Sequence, residues 1–158
     1  MSSPIDQYLA DEFGRLNVPE HPTAQITMAR ALFGSALTHT LDYWIANALD
    51  KIEKPQPAKP YVRDNDLSRR DRYFRDAFSK LDTDSKEAVQ KLICDTLSGL
   101  LFSVLVDFDQ FDFGELSISL LPKTDNPTPI EFTLPTEELH DEFNDWITSF
   151  SRFKDKLT

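Results

Sequence analysis

A chain of 158 residues has room for one domain and little room for two, and at that size it buries roughly 70% of its unfolded surface without disulfide or metal staples. A 40% hydrophobic and 28% charged composition is close to the globular average, and the small number of glycines, four, disfavours an all-β fold built on many tight turns. The net charge of −10 disfavours a surface that holds a phosphate backbone.

Ser3 and Pro4 read as a helix start, with Ile5, Tyr8, Leu9, Phe13 and Leu16 at helical spacing behind them. Val18–Pro22 breaks that helix. A second, long helix is predicted from about Thr23 to Ile52, with an apolar stripe that includes Ile26, Phe33, Leu37, Leu41, Ile45 and Ile52. The proline-rich stretch from Lys54 to Pro60 then predicts a stiff surface crossover over about 54–66 within a single domain spanning 1–158. A third helix is expected over Leu67–Leu81. The fourth, over about Ser85–Val106, opens with Asp84 and Glu87 at capping-box spacing. Its second half is apolar nearly all round, so it is expected to be the central and most buried helix.

After Gly114 the period changes from 3.6 to 2. Leu116, Ile118 and Leu120 alternate with serines, and Ile130, Phe132 and Leu134 with Glu131 and Thr133, which predicts an antiparallel hairpin with one apolar face. Two strands alone are marginal, so that face must pack on helices. Thr136 is placed to cap a last helix starting at Glu137, with Leu139, Phe143, Trp146, Ile147, Phe150 and Phe153 on its buried face. The expected fold is α+β: mainly helical, about five helices of which the second and fourth are long, with one hairpin before the C-terminal helix.

The charge is localised. Residues 107–145 hold eleven acids against one base, Lys123, so this segment carries the whole −10 while the remainder balances at 16 of each sign. Asp107 and Asp109 follow a helix C-terminus, where the dipole disfavours anions. A stability cost borne at one place invites a functional reason, and an acidic patch attracts a basic partner. The partner-binding candidates are therefore Asp107, Asp109, Asp112, Glu115, Glu137, Glu138, Asp141, Glu142 and Asp145. The plain alternative is a solvated, solubilising face. Arg69, Arg70, Arg72 and Arg75 are interleaved with Asp71 and Asp76 and read as an ion-paired helix face rather than a nucleic-acid site.

No catalytic residue, cofactor or metal site is predicted. The run from Asp107 to Glu115 fails as a calcium loop because Phe111 takes an alternate ligand position and Gly114 comes too late; Phe108, Phe111 and Phe113 read as core anchors. His21, His39 and His140 have no second ligand at zinc-helix spacing. Cys94, alone and in an apolar run, reads as a buried structural thiol. The N-terminal stretch has acids where a signal peptide carries basic and apolar regions, and the longest apolar candidate, Leu97–Val106, is about half the ~20 residues of a membrane span, so a cytoplasmic protein with no membrane contact is expected.

Leu139–Ile147, at the end of a stretch running from the hairpin to the C-terminus, resembles the closing helix of bacterial toxin-immunity proteins. The resemblance implies a non-enzymatic inhibitor that covers a basic protein partner, such as a toxin, with an acidic surface. The competing expectations are a small enzyme or ligand-binding domain with a pocket beneath the fourth helix, and a homodimeric adaptor joined through exposed aromatic residues.

Overall fold

The computed structural model describes residues 18–54, 65–114, 116–121, 128–134 and 138–157. The expected helix over residues 3–16 and all but the edges of the proline-rich crossover lie outside the described residues. The architecture is mainly helical with a two-stranded antiparallel hairpin. In chain order the elements are α1 (Pro22–Glu53), α2 (Asp66–Phe78), α3 (Thr83–Asp109), β1 (Leu116–Leu120), β2 (Ile130–Leu134), α4 (Phe143–Phe150) and α5 (Lys154–Leu157).

The spine is α1, 32 residues long. Pro22 sits in its first turn, where the missing N–H costs nothing. Its inward stripe includes Leu41, Ile45, Leu49 and Ile52, all buried, at the three-and-four spacing that keeps one face of a helix on the core. Against it lie α3, α4 and the hairpin. Pairing of the strands brings Leu116 opposite Leu134, Ile118 opposite Phe132 and Leu120 opposite Ile130. Leu116, Ile118 and Leu120 are half-buried against the core while Ser117 and Ser119 face water. Gly114, at φ +151°, makes the bend into β1 in a conformation that side chains other than glycine's rarely adopt.

Gly34 is set by a close approach. Trp146 of α4 lies across α1 at this point, and a methyl group on Gly34 would overlap the indole ring. Phe33 meets the same ring edge-on at 6.1 Å. Phe143, Trp146, Ile147 and Phe150 make α4 a one-sided helix, every one of them buried.

Four sequence expectations are corrected. The predicted fourth helix, α3, is not the most buried: only Cys94, Leu105 and Asp109 of its 27 residues are buried, and Leu92 and Leu100 are 64% and 61% exposed. In so small a domain α3 has layers to pack on from one side alone, so a helix apolar all round leaves its other face in water. By length and composition α3 also reaches the span of a bilayer, with a mean hydropathy of 1.5 over its most apolar window, where no such stretch was expected. Its cap is Asp82, whose carboxylate accepts from the Ser85 N–H at 2.7 Å, in place of the Asp84–Glu87 box. A true capping box opens α2 instead, between Asn65 and Ser68.

The fourth correction concerns the last helix. Residues 139–142 form a turn, α4 begins only at Phe143, and the chain breaks again at Ser151 before α5. Two buried carboxylates are the physical reason. Asp109 accepts the N–H groups of Leu139 and His140, each at 2.9 Å. Asp42 accepts the Ser151 hydroxyl at 2.6 Å and the Arg152 N–H at 2.9 Å. Asp42 takes the Arg152 N–H, which a continuous helix would have used internally, and Asp109 holds residues 139–140 as a turn against the end of α3.

Candidate functional site

The C-terminal end of α3 and the 139–142 turn meet at one corner of the molecule, and Asp109 joins them. It is the final residue of α3 and lies on the same inward stripe as Cys94 and Leu105, which turns its carboxylate into the protein; its side chain is 1% exposed. Besides the two backbone donors it meets His140 Nδ1 at 2.8 Å. One carboxylate thus satisfies three polar groups of a turn thirty residues further along the chain.

The ring of His140 stands edge-on to Phe102 at 5.7 Å and is 20% exposed. Its outer nitrogen, Nε2, faces Glu138 Oε2 at 3.5 Å and Asp141 Oδ1 at 3.6 Å. The hydrogen bond to Asp109 raises the His140 pKa above the ordinary 6.5; burial opposes it, and the charges of Asp141, Glu138 and Asp109 add to the rise. Alongside, Glu142 reaches back to α1, where Arg30, 6% exposed at its side chain, donates from Nε at 2.7 Å.

The nine predicted acidic positions therefore divide. Asp107 and Asp112 are exposed at the end of α3, and Glu138, Asp141 and Asp145 are exposed just before, on and just after the turn. Asp109 is corrected from a surface acid to a sealed structural one, and Glu142 is held in the Arg30 pair. Glu115 and Glu137 lie outside the described residues. The hydrogen bonds at Asp109 bring the end of α3 against the turn, and each of the five exposed acids stands within five residues of Asp109 or His140. By chain reach alone their Cα atoms lie within roughly 18 Å of that of one or other residue. On α2, Arg69 pairs with Asp66 at 3.8 Å and Arg75 with Asp76 at 3.3 Å, both within the helix.

The same corner holds aromatic side chains that sequence reasoning placed in the core. Phe108 and Phe111 are 36% and 46% exposed, and Phe113 is 92% exposed. Phe111 and Phe113 contact each other edge-on at 5.8 Å. They come after the last helical turn and before β1, where no facing layer covers them.

Sequence reasoning missed His140, Arg30 and Asp42. The signal for two of them was present: Arg30 sits among Met28, Ala29 and Ala31, and Asp42 lies between Leu41 and Ile45, so both fall on the buried stripe of α1. A charged residue on an apolar stripe calls for a buried partner. An open polar groove of about 700 Å³ lies between the first turns of α3 and α5, lined by Asp84, Glu87, Lys91, Asp95 and Lys156 among others. It flanks α3 and does not lie in the core beneath it. Compared with known proteins, the chain matches no family model, no curated protein and no solved structure.

Proposed function

We propose that this is a non-enzymatic acidic binding protein of the immunity or antitoxin type, which docks the corner around Asp107, Asp112, Glu138, Asp141 and Asp145 on a basic protein partner such as a toxin. The observation that carries the reading is Phe113, 92% exposed and next in sequence to Asp112. Aromatic anchors supply most of the energy of protein interfaces, and a charged rim steers the encounter and selects the partner. An acidic, Phe-rich corner has that composition. A bacterial cytoplasm is the setting that the reading implies.

Affinity capture from the native host at low and high salt tests it. A combined E138K/D141K/D145K variant, which spares Asp109 and Glu142, is expected to weaken capture of a basic protein by about tenfold or more, and F113A to weaken it independently of salt. Capture that is unchanged in both variants, with the circular dichroism spectrum intact, removes the reading.

A second reading rests on the outer side of α3, where Leu92 and Leu100 are two turns apart and more than half exposed. A homodimeric adaptor joined through that side would cover them. Light scattering across a dilution series tests it: a dimer that L92E/L100E converts to monomer supports it, and a monomer throughout dismisses it.

A further inference from the structure

We propose that Glu138, His140 and Asp141 form a binding site for a divalent first-row transition ion of the Zn²⁺ class, with Asp109 as the buried carboxylate that orients the histidine. The three ligand atoms all lie within 4.8 Å of one another. His140 Nε2 stands 3.5 Å from Glu138 Oε2 and 3.6 Å from Asp141 Oδ1. Ligands bound tetrahedrally at about 2.0–2.1 Å are separated by about 3.3–3.4 Å, so small side-chain rotations close this set around an ion.

The second nitrogen of the ring distinguishes this cluster from an accidental gathering of surface acids. Nδ1 is bound at 2.8 Å to Asp109, whose side chain is 1% exposed and fixed by the Leu139 and His140 N–H groups. An ionised carboxylate accepts only, so in the neutral ring the proton is on Nδ1 and the lone pair is on Nε2, on the side of the two exposed carboxylates. Metal-binding histidines are oriented in this way by an outer carboxylate, which fixes the tautomer and raises the basicity of the coordinating nitrogen. Phe102 bounds the ring on a further side.

Charge and ligand type narrow the ion. Two carboxylates and one neutral imidazole neutralise a dication. An imidazole donor suits Zn²⁺, Co²⁺ or Ni²⁺, whereas Mg²⁺ and Ca²⁺ favour oxygen ligands. Glu138 and Asp141 are 54% and 76% exposed at their side chains, so water reaches the open coordination positions. The ligands come from the 139–142 turn and the residue before it, which explains why a search for helical zinc spacing finds nothing here. The proposal does not depend on the partner-docking reading, and its test needs no partner.

The experiment is calorimetric titration of the chelator-treated protein with ZnCl₂ at about pH 8, because the imidazole must lose its proton to bind and the Asp109 hydrogen bond makes it hold that proton more tightly, repeated with CoCl₂ by absorption spectroscopy and with MgCl₂. Saturable one-to-one binding of Zn²⁺ and Co²⁺, with none of Mg²⁺ in the same range, is expected. H140Q and E138Q/D141N should each weaken it by about tenfold or more, and D109N by about ten- to a hundredfold. H21Q/H39Q, which removes the two exposed histidines of α1 and its cap, should bind as wild type. Nitrogen-15 chemical shifts should show coordination at Nε2 with Nδ1 still protonated. Absence of saturable binding, or binding that survives H140Q in a folded protein, overturns the site; the two ligand variants decide the matter if D109N does not fold.

Discussion

The carboxylate of Asp109 and the imidazole of His140 share a 2.8 Å hydrogen bond in which the acid is sealed from water and the base is partly open to it. This pair fixes the turn that starts the C-terminal segment, and it places a titratable ring where solvent can reach one nitrogen.

Replacing Asp109 with alanine strands the Leu139 and His140 N–H groups in a buried place and removes the partner of Nδ1. The expected loss is about 3 kcal/mol of unfolding free energy, from one or two unsatisfied buried donors at ~1–3 kcal/mol each. Urea denaturation followed by tryptophan fluorescence, in which the buried Trp146 reports unfolding, measures it. A loss no larger than that of D107A, an exposed neighbour on the same helix, would show that the hydrogen bonds contribute little.

The raised pKa of His140 fixes the sign of a pH effect. A group that binds its proton more tightly when folded stabilises the fold fully below its unfolded value, near 6.5, and that contribution fades as pH rises through the elevated folded value. The stability gap between wild type and H140Q should therefore be larger in mildly acidic than in mildly alkaline buffer. Proton NMR titration of the metal-free protein gives the value directly, and D109N should bring it down. A midpoint at or below 6.5 contradicts the role of the Asp109 hydrogen bond.

Two helical glycines should respond oppositely to alanine. At Gly34 the added methyl meets the Trp146 ring, and at Gly99 it meets nothing within 4 Å. G99A should stabilise by about 0.5–1 kcal/mol through helix propensity. G34A should destabilise by roughly 1–3 kcal/mol through overpacking, despite the same propensity gain. Thermal unfolding of the two variants side by side tests this; shifts of the same sign would mean that the α1–α4 contact is looser than described.

The far end of α4 depends on Asp42. S151A removes the 2.6 Å hydrogen bond to that buried carboxylate and should cost about 1 kcal/mol. D42A, which also releases the Arg152 N–H, should cost more. Hydrogen exchange at the Arg152 amide should accelerate in D42A before exchange in the middle of α1 changes.

The hairpin and the long helices were legible because their signals are local. Leu116–Leu120 and Ile130–Leu134 fall where the alternation places them, and α1 begins and ends within a residue of the predicted Thr23–Ile52. The corner was not legible for the converse reason. Whether Asp109 faces water depends on His140 and on backbone donors thirty positions away, and local periodicity does not encode that distance. Phe113 misled in the same way: a phenylalanine next to an apolar helix reads as core unless the absence of a facing layer is known. Counting charges located the acidic segment but did not separate its exposed members from those holding the fold together.

Arg30, Asp42 and Asp109 are all supplied before residue 110, yet each is matched by a group at or after residue 139. The groups that Asp42 and Asp109 accept from are thus made at least thirty residues later in synthesis, so these hydrogen bonds form only after the earlier helices are already in place along the chain. A chain that stops short of residue 139 lacks the Leu139, His140, Ser151 and Arg152 donors, and both carboxylates then keep water as their partner.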